Sequence, residues 1–572
     1  MHHRLVPALL ATVLSASAAS AQSIVRSFAG STANLHVGSA IDYLSDLNGD
    51  GYEDMVVGAP NPSGQGAIYW VSGKYLQTGT GFSTLGATIG ASLAGFGQSV
   101  VGVGDVTGDG VEDVLVGQDE SAGSGVIHQL ALVSGASKAK VAVADGSVFF
   151  TFGNRLERFS DYDGDGYQDV LVSSGGGLGG FERVQICSPR KIFTGSSPWL
   201  GFVEEPSAIE FGASFSAGDL DGDGKKELVV GAPGTSNDAG RLYVFSGTSL
   251  ALVNTLNGSA SSRLGESIDA TRDLDGDGYC DIVAGAPNSV ASALEGGEVI
   301  VYSGHRVALV SPPYDLVHWS SSQAYAHFGA SVCAQPDMNG DFRSDLAVGA
   351  PGIDVLPPLF SNNGAVYLYS GDTFESMGIV TGSNGDFLGA TVSRAWDYTG
   401  DIRWEIAVGG PDSDASASDG GVMRIVSVFP NAPTTYCTPK VNSLGCTPSI
   451  SFTGSPSASS SSPFLIKATN VLNKKNGLLF YGYDANGAPF QGGTMCAKAP
   501  IKRTSVQSTG GSSTGSDCTG AMSFDFNAYL QSGADPAIAL QGAEVFCQYW
   551  SRDPNSASTT SLTNALRFVV NP

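Results

Sequence analysis

Four carboxylates crowd into the nine-residue stretch DLDGDGYCD. Asp273, Asp275, Asp277 and Asp281 occupy its positions 1, 3, 5 and 9, and Gly278 occupies position 6. Two like unit charges about 4 Å apart repel by roughly 1 kcal/mol in water and roughly 4 kcal/mol near a protein surface. Acids at positions 1, 3 and 5, a backbone carbonyl at position 7 and a glycine at the turn supply the oxygen cage that Ca²⁺ prefers. The stretch therefore predicts a calcium-binding loop.

The loop is one of seven similar copies, which begin at residues 46, 105, 161, 219, 273, 337 and 397. Successive copies start 54 to 64 residues apart, a regular period that is typical of repeat architectures. A single copy is also compatible with a solvated Asp-Gly turn, but seven copies favour a shared ligand. A helix-loop-helix calcium site would place a Glu at position 12. Here an apolar run follows position 9, so each loop is predicted to join two β-strands.

Most of the acidic charge of the chain lies in these loops. They hold 26 of the 54 Asp and Glu residues, against four Lys or Arg, in a chain whose formal net charge is −25. Seven calcium ions would bring the charge from −25 to −11, because each ion adds two positive charges. Since the chain would still be acidic, we expect neither nucleic acid nor an anionic membrane surface as a partner.

Loops 1, 3, 4 and 5 keep an oxygen ligand at positions 1, 3, 5 and 9 and a glycine at position 6, so they are the strongest predicted calcium sites. Position 7 contributes its backbone carbonyl. The predicted ligands are Asp46, Asn48, Asp50, Tyr52 and Asp54; Asp161, Asp163, Asp165, Tyr167 and Asp169; Asp219, Asp221, Asp223, Lys225 and Glu227; and Asp273, Asp275, Asp277, Tyr279 and Asp281.

The other three loops depart from this pattern. Loop 2 has the neutral Thr107 at position 3, so weaker binding is expected from its three acids. Loops 6 and 7 place Phe342 and Ile402 where glycine is wanted, at a turn that favours positive φ. Whether loops 2, 6 and 7 bind metal stays open at this point. The candidate ligands are Asp105, Asp109 and Asp113 in loop 2, and Asp337, Asn339, Asp341 and Asp345 in loop 6.

Each repeat also predicts four strands. The run after the loop, such as "LVV" at 228, is apolar without alternation, as expected of a strand that is covered on both faces. A third strand rich in aromatic and β-branched residues follows, as in "RLYVFSG" at 241, and a weaker fourth precedes the next repeat. The last repeat ends after its third strand, whereas "SIVRSFAG" at 23 reads as an orphan fourth strand. The N-terminal strand is therefore predicted to close a ring, which leaves no open sheet edge.

A Phe-Gly phrase stands about eight residues ahead of several loops, as at Phe211-Gly212, and Gly-Ala-Pro often follows the second strand. With the D-x-[DN]-G-D-G loop, these phrases resemble the FG-GAP repeat of integrin α-subunit β-propellers and of many secreted bacterial proteins. The resemblance covers residues 22 to about 430. It implies an all-β fold, a seven-bladed β-propeller with calcium in the hairpin between the first and second strands of some blades.

Residues 1–21 read as a secretory signal peptide, with basic residues first, an apolar core and a small-residue cleavage site. No other stretch approaches 18 apolar residues, so no membrane span is predicted. We therefore expect a secreted product, extracellular or periplasmic or at the cell surface.

After a linker at 431–435, residues 436–572 predict a second, β-rich domain that resembles a small β-sandwich. Its short strands include "GLLFYGY" at 477, "MSFDFNAYL" at 522 and "EVFCQYW" at 544. Cys437 could close a short loop with Cys446, and Cys496 could pair with Cys518, which would leave Cys547. Spacing alone does not fix this connectivity.

The sequence favours a calcium-stabilised adhesion or recognition module for an extracellular protein or glycan. Tyr314, Trp319 and Tyr325 could form an exposed aromatic platform for a ligand, although Trp319 could equally pack between blades. An alternative is a carbohydrate-active hydrolase or lyase that uses a carboxylate pair in the propeller. A third reading is a passive envelope or matrix component. The oligomeric state is not readable from the sequence.

Overall fold

The computed structural model describes residues 23–61, 64–74, 84–90, 95–122, 125–146, 152–175, 182–312, 314–339, 343–354, 362–398, 403–427, 433–454, 456, 462–535, 538 and 544–570. The chain forms two compact units, Met1–Val428 and Phe429–Pro572. The predicted signal peptide lies outside the described residues, as do residues 431 and 432 of the predicted linker.

Unit 1 is built almost entirely from β-strands. In chain order its strands are β1 Ser23–Ala29, β2 Ala40–Leu44, β3 Asp54–Ala59, β4 Ala67–Val71, β5 Thr84–Ile89, β6 Val100–Gly102, β7 Val114–Ala122, β8 Gly125–Val133, β9 Lys140–Asp145, β10 Phe152–Arg158, β11 Val170–Ser174, β12 Arg183–Cys187, β13 Trp199–Glu204, β14 Ser214–Gly218, β15 Glu227–Gly231, β16 Arg241–Phe245, β17 Leu252–Asn257, β18 Ser267–Arg272, β19 Asp281–Ala286, β20 Glu298–Tyr302, β21 Asp315–Ser320, β22 Ser331–Gln335, β23 Asp345–Ala350, β24 Ala365–Tyr369, β25 Ser376–Thr381, β26 Thr391–Arg394, β27 Ile406–Gly410 and β28 Val422–Ser427.

These strands form seven four-stranded antiparallel sheets among the described residues. Sheet 1 is β2 to β5, sheet 2 is β6 to β9, and the pattern continues to sheet 6, which is β22 to β25. Sheet 7 is β26, β27 and β28, with β1 as its fourth strand. The prediction that the N-terminal strand completes the last repeat is therefore confirmed.

The seven sheets contact one another in a closed cycle through their first strands. β2 contacts β6, each later first strand contacts the next in turn, and β26 contacts β2. The second strand of each sheet lies in the core; in β19, for example, all six residues are buried. Apolar side chains on both faces of these strands explain why their sequences do not alternate. The arrangement is that of a β-propeller, as the repeats predict.

Glycine backbones make the contact between neighbouring sheets. The N–H of Gly329, in the Phe-Gly phrase before sheet 6, donates to the carbonyl of Gly349 within the same repeat. The carbonyl of Gly329 lies so close to Gly285 of sheet 5 that a Cβ there would stand 2.0 Å from its oxygen. Ser267 Oγ donates to the same oxygen at 2.8 Å. The equivalent close approaches join Gly58 to Gly97, Gly117 to Gly153, Gly231 to Gly265, Gly349 to Gly389 and Gly409 to Gly38.

Helical segments in unit 1 are short. Helix α1 (Pro189–Thr194) is capped at its N-terminus by Ser188, whose side chain accepts from the N–H of Lys191. Gly195, with φ 73°, caps its C-terminus. Helix α2 (Gly304–Ala308) follows β20. None of the helices in the described residues is long and apolar enough to cross a membrane.

Unit 2 has its own core and contains three sheets. Its strands are β29 Thr434–Tyr436, β30 Ser449–Thr453, β31 Leu465–Val471, β32 Asn476–Gly482, β33 Ala485–Phe490, β34 Gly493–Ala497, β35 Lys502–Arg503, β36 Gln507–Ser508, β37 Gly520–Asp525, β38 Glu544–Arg552 and β39 Thr560–Val569. The largest sheet runs β29, β39, β38, β32 and β35, with β36 also paired to β32. A second sheet contains β30, β31 and β37, and a third is the hairpin of β33 and β34. Side chains of the first two sheets share one apolar core.

Two sequence predictions for unit 2 need correction. The disulfides join Cys437 to Cys496 and Cys446 to Cys518, whereas the sequence suggested the sequential pairs. Folding brings together cysteines that are 59 and 72 residues apart, so nearness along the chain is a poor guide to the pairing. Cys547 is unpaired and buried, as expected.

The second correction concerns "MSFDFNAYL", which does not form a single strand. β37 ends at Asp525, and helix α3 (Phe526–Gln531) follows at once. Asp525 caps the helix by accepting from the N–H of Ala528. The aromatic residues of the helix favoured the β interpretation, but Phe526 is buried in the core.

Candidate metal centres

Every acidic loop joins the first strand of a sheet to the second, as predicted. Loop 5, for example, begins after Arg272, the last residue of β18, and ends at Asp281, the first residue of β19. The glycine at position 6 has φ between 82° and 94° in loops 1 to 5. This left-handed backbone is the reason that glycine recurs at that position.

The first acid of each loop organises the turn. In loop 5, Asp273 Oδ1 accepts from the N–H of Gly276 at 2.7 Å, and Oδ2 accepts from the N–H of Gly278 at 2.9 Å. Asp46, Asp105, Asp161 and Asp219 accept from the corresponding N–H groups of their own loops. Burial by itself would raise the pKa of Asp46, but four backbone N–H donors lower that pKa below its usual value. Asp46 is thus ionised and fixed in place.

In loops 1, 2, 4, 5 and 6 the residue at position 9 is a buried carboxylate that connects the loop to the third strand. Asp281 Oδ2 accepts from the N–H of Leu274 at 2.8 Å, and its Oδ1 accepts from the N–H of Gly304, just after β20, at 3.2 Å. Asp54, Asp113, Glu227 and Asp345 make the same two kinds of contact. A Ser-Gly pair follows the third strand in these repeats, as in "RLYVFSG" at 241, and its glycine N–H makes the contact with the carboxylate at position 9. This pair is therefore the sequence signal for the contact.

In loops 3, 4 and 5 the acids at positions 1, 3 and 9 converge. The three groups are Asp161, Asp163 and Asp169; Asp219, Asp221 and Glu227; and Asp273, Asp275 and Asp281. Within each group one ligand oxygen per residue lies within 4.8 Å of the others. Oxygens at most about 5 Å apart can contact one Ca²⁺, because each Ca–O distance is about 2.4 Å. The donor set and its spacing fit a hard divalent cation.

Burial raises the pKa values of the carboxyl groups at position 9 of the loops. The pKa of Asp281 rises to about 7, first because the group is buried and also because Asp275 is nearby. The pKa of Asp169 also rises to about 7, and that of Asp54 to about 6, again chiefly through burial. A cation beside these groups would favour their ionised forms and lower the pKa values again.

In loops 1, 3, 4 and 5 the acid at position 5 accepts from the N–H of the residue at position 7. The distances are 3.1 Å from Tyr52 to Asp50, 2.9 Å from Tyr167 to Asp165, 2.7 Å from Lys225 to Asp223 and 3.0 Å from Tyr279 to Asp277. These fifth acids are not part of the three convergent groups. That they and the seventh carbonyls bind metal stays a prediction.

Loops 1 and 2 share the turn but have a neutral residue at position 3. Asn48 takes this place in loop 1. In loop 2, Thr107 Oγ1 donates to Asp113 Oδ1 at 3.4 Å, so the threonine also supports the ninth carboxylate. The buried Asp54 and Asp113 keep the connection to the third strand in both loops.

Loops 6 and 7 are described only in part. Asp341 and Phe342 of loop 6 and residues 399–402 of loop 7 lie outside the described residues. Asn339 Nδ2 donates to Asp345 Oδ1 at 3.3 Å, so an amide donor faces the ninth carboxylate of loop 6. Asp345 is fully buried, as its counterparts are.

The structure does not bring the three predicted platform aromatics together. Tyr314 lies beside Ser303, at the end of sheet 5 that carries the acidic loop. Strand β21 separates it from Tyr325, which lies at the opposite end and is exposed. Trp319 stacks on Tyr369 of sheet 6 with ring centroids 4.1 Å apart, so it packs between sheets. Tyr325 alone is left for ligand recognition.

A ring of four-stranded sheets with acidic hairpin loops at one end defines a β-propeller with repeated candidate metal centres. Residues 211–245, 264–302 and 328–369 match the family model of the FG-GAP repeat, and residues 46–116 match the FG-GAP-like repeat. These four segments are FG-GAP-type repeats, and the chain is similar to integrin α subunits.

Relatives of known name match between 26% and 33% of the chain. Integrin alpha-5 of Xenopus laevis is 35% identical over 170 residues, which are 27% of this chain and 16% of that protein. Integrin alpha-11 of Homo sapiens is 36% identical over 156 residues, 26% of this chain and 13% of that protein. Phosphatidylinositol-glycan-specific phospholipase D of Bos taurus is 32% identical over 215 residues, 33% of this chain and 25% of that protein. The chain thus spans a quarter or less of the length of these relatives.

Proposed function

We propose that this protein is a secreted, calcium-stabilised recognition module of the adhesion type, which binds an extracellular protein or glycan. The observation that carries the proposal is the convergence of three acids, one of them buried, in loops 3, 4 and 5. Similarity to integrin α subunits supports an adhesion role. The two disulfides of unit 2 are typical of proteins from an oxidising compartment, which supports secretion.

The calcium ions serve the fold in this proposal and do not contact the partner. Each would neutralise a buried carboxylate, which in loops 4 and 5 also receives N–H groups from its loop and from the end of the third strand. Recognition then belongs to the end of the ring opposite the acidic loops. Apolar side chains are exposed there: Ile209, Val290 and Leu294 are 54 to 57% exposed and Tyr325 is 44% exposed.

Leu294 and Tyr325 lie together, because the N–H of Tyr325 donates to the carbonyl of Leu294 at 2.8 Å. They come from sheet 5 and from the connection to sheet 6. Neighbouring exposed apolar groups of this kind are typical of interaction surfaces. We call Leu294 and Tyr325 the apolar end patch.

Retention on immobilised panels of glycans and cell-surface proteins tests the proposal, with calcium and after chelation. We expect retention by the wild-type chain with calcium and a loss of retention in the double variant Leu294→Ser, Tyr325→Ser. Calorimetry of both proteins should give the same stoichiometry, at least three calcium ions per chain. An isotherm without calcium binding would refute the metal sites, and retention unaffected by the double variant would refute the apolar end patch.

A further inference from the structure

A cavity of about 780 Å³ lies among the first strands of all seven sheets. Its size falls within the range of about 300 to 1,000 Å³ that is usual for small-molecule sites. None of the carboxylates predicted to bind calcium lines it. The solvent-exposed Asn154 and Arg155 form part of its wall, so the cavity is open to solvent on that side.

The charge of the cavity wall is opposite to that of the chain. The chain has a formal net charge of −25, yet the wall carries more basic than acidic side chains. The basic residues are Arg155, Arg158, Lys226, Arg272 and Arg394, and the acidic residues are Asp42, Glu157 and Asp269.

Internal ion pairs neutralise only two of these arginines. Arg158 Nη2 lies 3.0 Å from Asp42 Oδ2, and Arg394 Nη2 lies 3.2 Å from Asp269 Oδ2. Arg155 and Arg272 have no ion-pair partner within the part of the chain that the structure describes.

Arg272 is the least satisfied group in the wall. Its Nε is buried and has no hydrogen-bond partner among the described residues. Burial lowers the pKa of Arg272, and the positive charge of Arg394 lowers it further. The negative charge of Asp269 offsets part of this decrease. A guanidinium whose buried Nε lacks an acceptor and which faces a second guanidinium still favours an anion as a partner. A planar oxyanion such as a carboxylate can accept two of its N–H groups at once.

Glu157, the third acid of the wall, forms no ion pair with the arginines of the wall among the described residues, but its negative charge opposes the decrease that burial causes in the pKa of Arg155. Ser216 Oγ donates to Glu157 Oε1 at 2.8 Å. Burial raises the pKa of Glu157 to about 8, and the negative charge of Asp269 contributes to the increase. Burial therefore disfavours the charged form of Glu157 in the wall.

We propose that this cavity binds a small sugar acid, whose carboxylate pairs with Arg272 and whose hydroxyl groups meet the polar wall. That wall includes Gln98, Asn154 and Thr271, which suit a hydroxylated ligand better than an apolar one. The volume leaves room for more than an inorganic ion. This site depends neither on calcium in the acidic loops nor on the apolar end patch.

Calorimetry with matched sugars tests the proposal. Galacturonate and galactose differ at C6, where the acid carries a carboxylate and the neutral sugar an alcohol, so the pair isolates the charge. With the full chain in calcium-containing buffer, we expect galacturonate or glucuronate to bind at least tenfold more tightly than the matched neutral sugar. Arg272→Met should weaken binding of the acid at least tenfold, since a charge-assisted pair is lost. Arg241→Met, a change outside the cavity wall, should leave the affinity unchanged.

The melting temperature and calcium stoichiometry of each variant report separately on the fold and on the acidic loops. If Arg272→Met does not fold, Arg155→Met replaces it, because that side chain is solvent-exposed and lines the same cavity. Absence of binding by both sugar acids would overturn the proposal, as would equal affinity for the acid and the matched neutral sugar. An affinity for the acid that both Arg272→Met and Arg155→Met leave at the wild-type value would also overturn it. Binding of inorganic sulfate or phosphate alone would overturn the sugar assignment.

Discussion

Removing calcium should reverse the pH dependence of stability. The pKa of Asp281 is about 7 in the folded chain without metal, against an ordinary value of 3.8. Between these two pH values the unfolded chain has lost the proton and the folded chain still holds it. Because the unfolded state then binds fewer protons, the free energy of unfolding falls as pH rises from about 4 to 7.

The size of the effect follows from the shift. A change of one pKa unit corresponds to about 1.4 kcal/mol, so the increase at Asp281 costs the chelated protein about 4 kcal/mol at pH 8. The pKa of Asp169 is also raised to about 7 and that of Asp54 to about 6, so these groups shift the stability of the metal-free protein in the same direction. The cost at Asp281 alone is a large part of the stability of a typical domain, about 5 to 15 kcal/mol.

Calcium reverses the sign, because it binds the ionised carboxylates and competes with their protons. Stability of the calcium-loaded protein should therefore rise, or stay level, from pH 5 to pH 8. Urea unfolding followed by tryptophan fluorescence measures both curves, with metal-free protein prepared by dialysis and with protein in millimolar calcium. We expect the curves to lie close together near pH 5 and to diverge by several kcal/mol at pH 8.

Asp281→Asn provides the matched control, since its amide oxygen still accepts from the N–H of Leu274 but carries no charge. This variant should flatten the pH dependence of the metal-free protein and lose part of the stabilisation by calcium. A metal-free stability that rises with pH between 5 and 7 would refute the reasoning, as would coincident curves at pH 8.

Three further changes test the packing. Gly285→Ala places a Cβ 2.0 Å from a backbone oxygen of the next sheet and should cost about 3 kcal/mol in urea unfolding, whereas Gly201→Ala, which meets only side-chain atoms, should cost less than about 1 kcal/mol. Arg424→Met removes the ion-pair partner of the buried Asp386 carboxylate and should lower the free energy of unfolding by about 3 to 5 kcal/mol. No change in the urea midpoint would contradict this. Cys446→Ser with Cys518→Ser opens a loop with a sequence separation of 72 and should lower the stability of unit 2 by about 4 kcal/mol, measured by calorimetric melting with unit 1 as internal reference.

The sequence was sufficient for the parts of the fold that repeat. Seven copies made the period visible, and the left-handed turn at Gly278 could be predicted because only glycine suits that backbone. The orphan strand Ser23–Ala29 could be matched to the missing strand of the last repeat. In each case the prediction depended on a pattern within one repeat or on a count of repeats.

Features that depend on distant segments could not be predicted in this way. The contact from Asp281 to Gly304 crosses 23 residues, and the cysteine pairs of unit 2 are set by sheet order. The stacking of Trp319 on Tyr369 depends on how neighbouring sheets meet. The segment FNAYL became a helix because Asp525 could cap it and Phe526 could enter the core.

The cavity could not be predicted from the sequence for a related reason, because every repeat contributes a few residues to its wall. The residue four positions before each loop lines the cavity in all seven repeats, but its type varies from repeat to repeat. These residues are Asp42, Val101, Glu157, Phe215, Asp269, Cys333 and Ser393. The first acid of the loop, by contrast, is aspartate in all seven copies. Positions that share one task in every repeat are held constant, whereas an asymmetric ligand at the centre of a ring needs a different contact from each sheet. The diversity of this position therefore fits a binding site at the centre of a ring, and the arginines of the wall lie at neighbouring positions of β10, β18 and β26.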